Sequence, residues 1–73
     1  ESRLRLKTGG RVAKLVGDFY LLAGAYQEAV SILATAVDET KLNGDLLWYA
    51  GAQEALQIAL VLQSEDALLG KRD

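Results

Sequence analysis

Two glycine-centred breaks, at Gly24 and at Asn43-Gly44-Asp45, divide an apolar pattern of helical period into segments of helix length. Connections this short set successive helices side by side and antiparallel. Before the first break, Val12, Leu15, Val16, Phe19, Leu22 and Ala23 recur at i, i+3, i+4 and i+7, the apolar stripe of an amphipathic helix. Gly24 stands where a left-handed C′ residue is expected. The second helix is predicted to begin near Tyr26 and to run out at Lys41, with Ala29, Val30, Ile32, Leu33, Ala36 and Val37 on its buried face. Asp45 suits the N-cap of a third helix reaching about Gln63. There Leu46, Leu47, Ala50, Gly51, Ala55, Ile58, Ala59 and Leu62 make one broad apolar face, while Trp48, Leu56, Leu60 and Val61 spread round the rest. A helix so apolar is normally covered from two sides, and two preceding helices do not suffice for that. The fold class is therefore all-α, an antiparallel helix hairpin plus a long third helix.

The flanks read differently. Arg3-Leu4-Arg5-Leu6-Lys7 alternates with the period of a strand, and Thr8-Gly9-Gly10 breaks it. Residues 1–10 are accordingly expected to form a basic arm or linker, 11–63 the helical segment, and 64–73 a short capping turn and tail opened by Ser64. Residues 1–14 carry five bases and one acid, whereas 15–70 carry one base and eight acids. With a net charge of −2, the chain has no basic field for duplex nucleic acid, and no nucleic-acid partner is expected.

Chemistry is tightly limited. The absence of histidine and cysteine removes disulfides, tetrahedral zinc sites, thiol nucleophiles and imidazole relays. A Ser/Lys pair would be the remaining nucleophilic arrangement, and Lys14 and Lys41 fall on exposed helix faces. The adjacent acids Asp38-Glu39 and Glu65-Asp66 would point about 100° apart on a helix, a poor geometry for sharing a proton or an ion. Lys14 and Asp18 are spaced for a helix pair with the acid C-terminal, the weaker orientation. Thr8-Gly9-Gly10-Arg11 precedes a helix but lacks either phosphate-loop signature. No catalytic residue, cofactor or metal is expected. The longest uncharged run, residues 55–64, is about half a membrane span, so no transmembrane segment is expected either. Having no methionine and starting at Glu1, the chain reads as a piece of a longer one.

One repeat template fits. The 34-residue tetratricopeptide (TPR) pattern finds Val16-Gly17, Tyr20, Gly24-x-Tyr26, Ala29, Leu33 and Ala36 in register, and Gly51 repeats Gly17 after 34 residues. Gly17 and Ala29 are small because two antiparallel helices cross closely there, and Tyr20 and Tyr26 fill the space beside the Gly24 turn. Ala13 replaces the usual Trp, and Lys41 stands where Pro often ends a repeat.

Within that frame, Gly10-Arg11-Val12, Lys14-Leu15-Val16-Gly17-Asp18, Leu21-Leu22-Ala23-Gly24 and Asp45-Leu46-Leu47-Trp48-Tyr49-Ala50-Gly51-Ala52 carry a closer likeness. They resemble the TPR-like segment of the large subunit specific to the TRAPP II complex, the NIK- and IKK-binding protein family of Golgi traffic. Gln53-Glu54-Ala55 departs from that family's Leu-Glu-Gly and puts the local helix packing in doubt. The resemblance implies a non-catalytic protein–protein scaffold within a vesicle-tethering complex, cytoplasmic and peripheral to Golgi membranes. Its partners would be protein subunits of that complex, which acts as a nucleotide-exchange factor for Rab-type GTPases. A freestanding TPR adaptor binding a peptide or partner helix is the alternative. Trp48, Tyr49, Leu56 and Leu60 are the candidate partner contacts. With so much apolar surface on its third helix, the isolated chain is expected to self-associate.

Overall fold

The structure, a computed structural model, describes residues 2–70, with side chains over residues 7–70. Its elements are α1 (Ser2–Leu22), α2 (Tyr26–Leu42) and α3 (Leu46–Gly70), and the described residues form no strand. The fold is all-α. Two turns of one kind join the helices. In the first, the Ala25 N–H donates to the Tyr20 carbonyl at 2.9 Å and the Gly24 N–H to Leu21 at 3.1 Å. In the second, the Asp45 N–H donates to Thr40 at 2.9 Å and the Gly44 N–H to Lys41 at 3.2 Å. These are Schellman closures, which require the left-handed φ of 80° at Gly24 and 66° at Gly44. The carbonyls of Ala25 and Asp45 then accept the amides of Ala29 and Tyr49. The residue that closes one helix thus opens the next, and no linker remains.

Both ends are more helical than their sequence patterns suggest. Where residues 1–10 read as an arm or linker, the backbone from Ser2 is already α1. Leu, Arg and Lys are good helix formers, so their alternation does not oppose a helix. Nor does Gly10 break one, because it occupies a close crossing with α2. A Cβ there would lie 2.9 Å from Thr40 Cγ2 and 3.2 Å from the Thr40 backbone nitrogen. Where 64–73 read as a separate capping turn, α3 runs on unbroken to Gly70. Ser64, Glu65 and Asp66 are exposed on it, so their polarity costs nothing in packing. Glu1 and residues 71–73 lie outside the described residues.

The interior is built of small side chains. Ala29, Leu33, Ala36, Ala52, Ala55 and Ala59 are buried, and Leu33 is the only large apolar member of that set. Tyr20, Leu21, Val30 and Leu56 pack against it from the sides. Thr40, also buried, donates its hydroxyl to the Ala36 carbonyl at 2.7 Å. Glycine and alanine let helix axes approach closely, which gains dispersion contacts between backbones. The larger apolar residues point the other way. Of the apolar stripe read on the first helix, Val12, Leu15, Phe19, Leu22 and Ala23 are exposed and Val16 is half-buried, while Gly17 takes their place against α2. On α3 the inward face is Ala52, Ala55 and Ala59, whereas Leu46, Leu47, Ala50 and Ile58 of the broad face read from the sequence are exposed.

Candidate interaction surface

The middle of α1 meets the start of α3. Arg11 and Asp45 make that junction. The Arg11 Nε donates to Asp45 Oδ2 at 2.7 Å and Nη2 donates to Oδ1 at 3.0 Å, a two-pronged pairing. The Asp45 carboxylate, suited by sequence to capping α3, thus gives both its oxygens to α1. Arg11 hydrogen bonding holds the Asp45 carboxyl below its ordinary carboxylate range, opposed by partial desolvation and helped by the charges of Arg11 and Lys7. The same hydrogen bond raises Arg11. Beyond the carboxylate, the Arg11 guanidinium stands 5.2 Å from the centre of the Trp48 ring, within cation–π range. One turn further on, Lys14 donates to Asp18 Oδ2 at 2.6 Å.

Signal for this clasp exists in the sequence. Arg11 and Asp45 are 34 residues apart, the same interval as Gly17 and Gly51. Opposite charges at that interval are a pair that the folded helices bring together.

The remaining singled-out residues divide by environment. Gly17 is at the tightest point, where a Cβ would fall 2.5 Å from Leu33 Cγ and Cδ2. Gly51 is far less confined, with Lys14 Cε at 3.7 Å as the nearest group to such a Cβ. Gly24 makes the first turn, with Tyr20 against the core and Tyr26 half-buried at the start of α2. Ala29, Leu33 and Ala36 form the buried face of α2. Among the residues suggested as partner contacts, Trp48 is held by Arg11 and Leu56 packs on the core, while Tyr49 is half-buried. Leu60 is exposed. Leu46, Leu47, Ile58 and Val61, part of the apolar excess read on α3, are open as well, and Leu68 and Leu69, which the sequence reading did not single out, join them and the α1 stripe at the surface.

Concavities are shallow. A recess of about 210 Å³ lies between Lys14, Leu47, Trp48 and Gly51. Small-molecule sites usually enclose about 300–1,000 Å³. A wider open groove of about 490 Å³ runs past Tyr20, Glu28, Ser31, Ile32 and Thr35. Among the described residues no group of three metal-ligating side chains converges, and no helix is long and apolar enough to cross a membrane. What this surface can do chemically is bury apolar area against another protein.

Comparison with known proteins gives a consistent set. The family model described as Trs120/TRAPPC9, N-terminal domain, matches residues 1–67. The trafficking protein particle complex II-specific subunit 120 homolog of Oryza sativa subsp. japonica is 45% identical over 53 residues, 73% of this chain and 4% of that protein. Its Arabidopsis thaliana counterpart is 41% identical over 64 residues, 88% of this chain and 5% of that protein. The trafficking protein particle complex II-specific subunit 120 of Saccharomyces cerevisiae is 34% identical over 64 residues, with the same coverage. The chain therefore spans about a twentieth of the length of these relatives. No solved structure matches it.

Proposed function

The chain belongs to the Trs120/TRAPPC9 family, and from that premise we propose that it is a non-catalytic scaffold segment of a TRAPP II-type vesicle-tethering complex. It works in Golgi traffic, on the cytoplasmic side and peripheral to the membrane, and its partners are protein subunits of that complex. It contributes TPR-like helices to an α-solenoid, with Gly17, Tyr20, Gly24, Tyr26, Ala29, Leu33 and Ala36 as the packing motif. Gly51, 34 residues after Gly17, holds the corresponding position in α3, the long third helix of the next repeat.

One observation carries this reading. Small residues pack the three helices against one another, and large apolar residues are left outside on α1 and α3. A unit of a helical repeat has this distribution, because each unit completes its burial only against neighbours. The absence of histidine and cysteine favours a role without catalysis. The large apolar residues left open on α3 do not suit the charged, polar groove of a freestanding peptide-binding adaptor, which puts that alternative second.

The test is co-purification of the tagged parent protein from its own cells. TRAPP II subunits should accompany the wild type. A Leu47→Asp/Val61→Asp double variant should lose at least one of them, since both residues are more than half exposed and their replacement leaves the core intact. A wild-type protein that purifies without any TRAPP II subunit refutes the assignment.

A further inference from the structure

Asn43 is the one asparagine of the chain, and Gly44 follows it. The backbone nitrogen after an asparagine can attack the side-chain amide, and glycine, with no Cβ, leaves that nitrogen least hindered. Asparagine is for this reason among the thermolabile residues. The turn holds the reacting groups apart. Asn43 has φ −90° and ψ 4°. At that ψ the Gly44 nitrogen eclipses Asn43's own nitrogen and stands a third of a turn from Cβ, whereas the five-membered ring of attack needs it beside Cβ. The Gly44 N–H also donates to the Lys41 carbonyl at 3.2 Å, with the Asn43 N–H on Glu39 at 3.1 Å and the Asp45 N–H on Thr40 at 2.9 Å. Arg11 grips both carboxylate oxygens of Asp45. Rotating ψ of Asn43 carries Asp45 away from Thr40 and Arg11, so the ring cannot close while these bonds stand.

We propose that Asn43 is a self-modification site gated by the turn between α2 and α3, inert while Arg11 holds Asp45 and deamidated when the turn opens. This proposal does not rest on the trafficking assignment. In the reaction the Gly44 nitrogen bonds to the Asn43 side-chain carbonyl carbon. The bond from that carbon to the amide nitrogen breaks, and ammonia leaves with the proton from Gly44. Water then opens the cyclic imide at either carbonyl. The product is aspartate at position 43, or its isomer in which the main chain runs through the side-chain carbon. No oxidant or reductant takes part.

Either product acts against the turn that held the reaction back. Both place a negative charge at the C-terminal end of α2, where the helix dipole disfavours it, and close in sequence to the Asp45 carboxylate. The isomer also adds a main-chain carbon within the turn. The Asp45 N–H then loses its register with the Thr40 carbonyl, and the start of α3 shifts from Arg11. Hydrolysis of the amide is irreversible, so the reaction makes permanent the opening that allowed it. Turns open and close far faster than amides hydrolyse, and the rate in the folded protein therefore follows the population of the open form.

Tryptic mapping of the parent protein after incubation at mildly alkaline pH reads the reaction, since cleavage after Lys41 releases a peptide that begins Leu42-Asn43. In urea Asn43 should convert to a mixture of aspartate and its isomer, which chromatography separates. In the folded protein conversion should be slower by about tenfold or more. Arg11→Gln should raise the folded-state rate by about fivefold or more, through loss of hydrogen bonds to a charged group, and leave the rate in urea unchanged. Protection of the α2 amides from hydrogen exchange shows that the variant is folded. If it is not, Arg11→Lys, which keeps the charge and loses the two-pronged geometry, makes the same comparison. An Asn43 that survives in urea overturns the site. Equal rates in urea and in the folded protein, or a folded Arg11 variant that converts no faster than wild type, overturn the gating.

Discussion

Substituting Gly17 by alanine adds one methyl group to a helix position and ought, on propensity alone, to help. Alanine is favoured over glycine in a helix by about 1 kcal/mol. The structure reverses the sign. The new Cβ would lie 2.5 Å from both Cγ and Cδ2 of Leu33 and 3.0 Å from Ile32 Cγ2. Comfortable carbon–carbon contact begins near 3.5 Å, so the overlap with Leu33 is about 1 Å. Leu33 is completely buried and has no open space to turn into. Either α1 withdraws from α2 or Leu33 leaves its rotamer, and overpacking of this kind costs about 1–3 kcal/mol. Because the measured value already contains the propensity gain, a net loss of about 1 kcal/mol is expected, a fall of roughly 4–8 °C in Tm for a domain this small. The matched control is Gly51→Ala, where the added Cβ meets only the Lys14 methylene end at 3.7 Å. That variant should gain about 0.5–1 kcal/mol. Both are read by thermal melting at a single protein concentration, since association makes Tm depend on concentration. Should Gly17→Ala melt at or above the wild type, the close crossing of α1 and α2 does not exist.

Other perturbations have equally definite outcomes. Leu33→Ala removes the largest apolar side chain of the buried set and should cost about 2–5 kcal/mol in urea unfolding; a smaller loss would mean that the interior collapses to fill the space. Gly24→Ala forces a left-handed residue to carry a Cβ at φ 80°, and should lower stability by about 1–2 kcal/mol although nothing crowds the position. Asp45 is held low by the Arg11 hydrogen bond, so its stabilisation is fully present above the unfolded value of about 3.9 and is lost as pH falls through the lower folded value. Acid titration from pH 5 downward should therefore show a loss of stability in wild type that is shallower in Asp45→Asn, which already lacks the ion pair at neutral pH; identical acid slopes would remove the clasp from the account.

Much of the architecture was legible because it is local. The Gly24 and Gly44 breaks were visible as residues that alone accept a positive φ, and the Ala29, Leu33 and Ala36 face of α2 as a periodic row. The orientation of α1 was not legible in the same way. Periodicity reports that Val12, Leu15, Phe19 and Leu22 share a face, not which neighbour covers it, and the smallest residue of the helix, Gly17, carries no hydrophobic signal at all. Position 64 misled for a related reason: Ser64 followed by two acids is a good helix start and also an acceptable exposed helix interior. Pairing Arg11 with Asp45 needed the packing of α1 beside the start of α3, although the 34-residue interval was in plain sight.

The position of α2 between the other two helices has a consequence for how the chain assembles. Among the described residues the extensive contacts join neighbours in sequence, α1 with α2 and α2 with α3, and α1 meets α3 far less, with the Arg11 and Asp45 clasp and Lys14 beside Gly51 among those meetings. Either hairpin can therefore form first, each closing over a single three-residue turn, and the search leading to the folded chain has two short routes instead of one long one. Chains dominated by such near-neighbour contacts reach their fold within microseconds to milliseconds. On either route the Arg11 and Asp45 pairing ties α1 to the start of α3, across the length of α2.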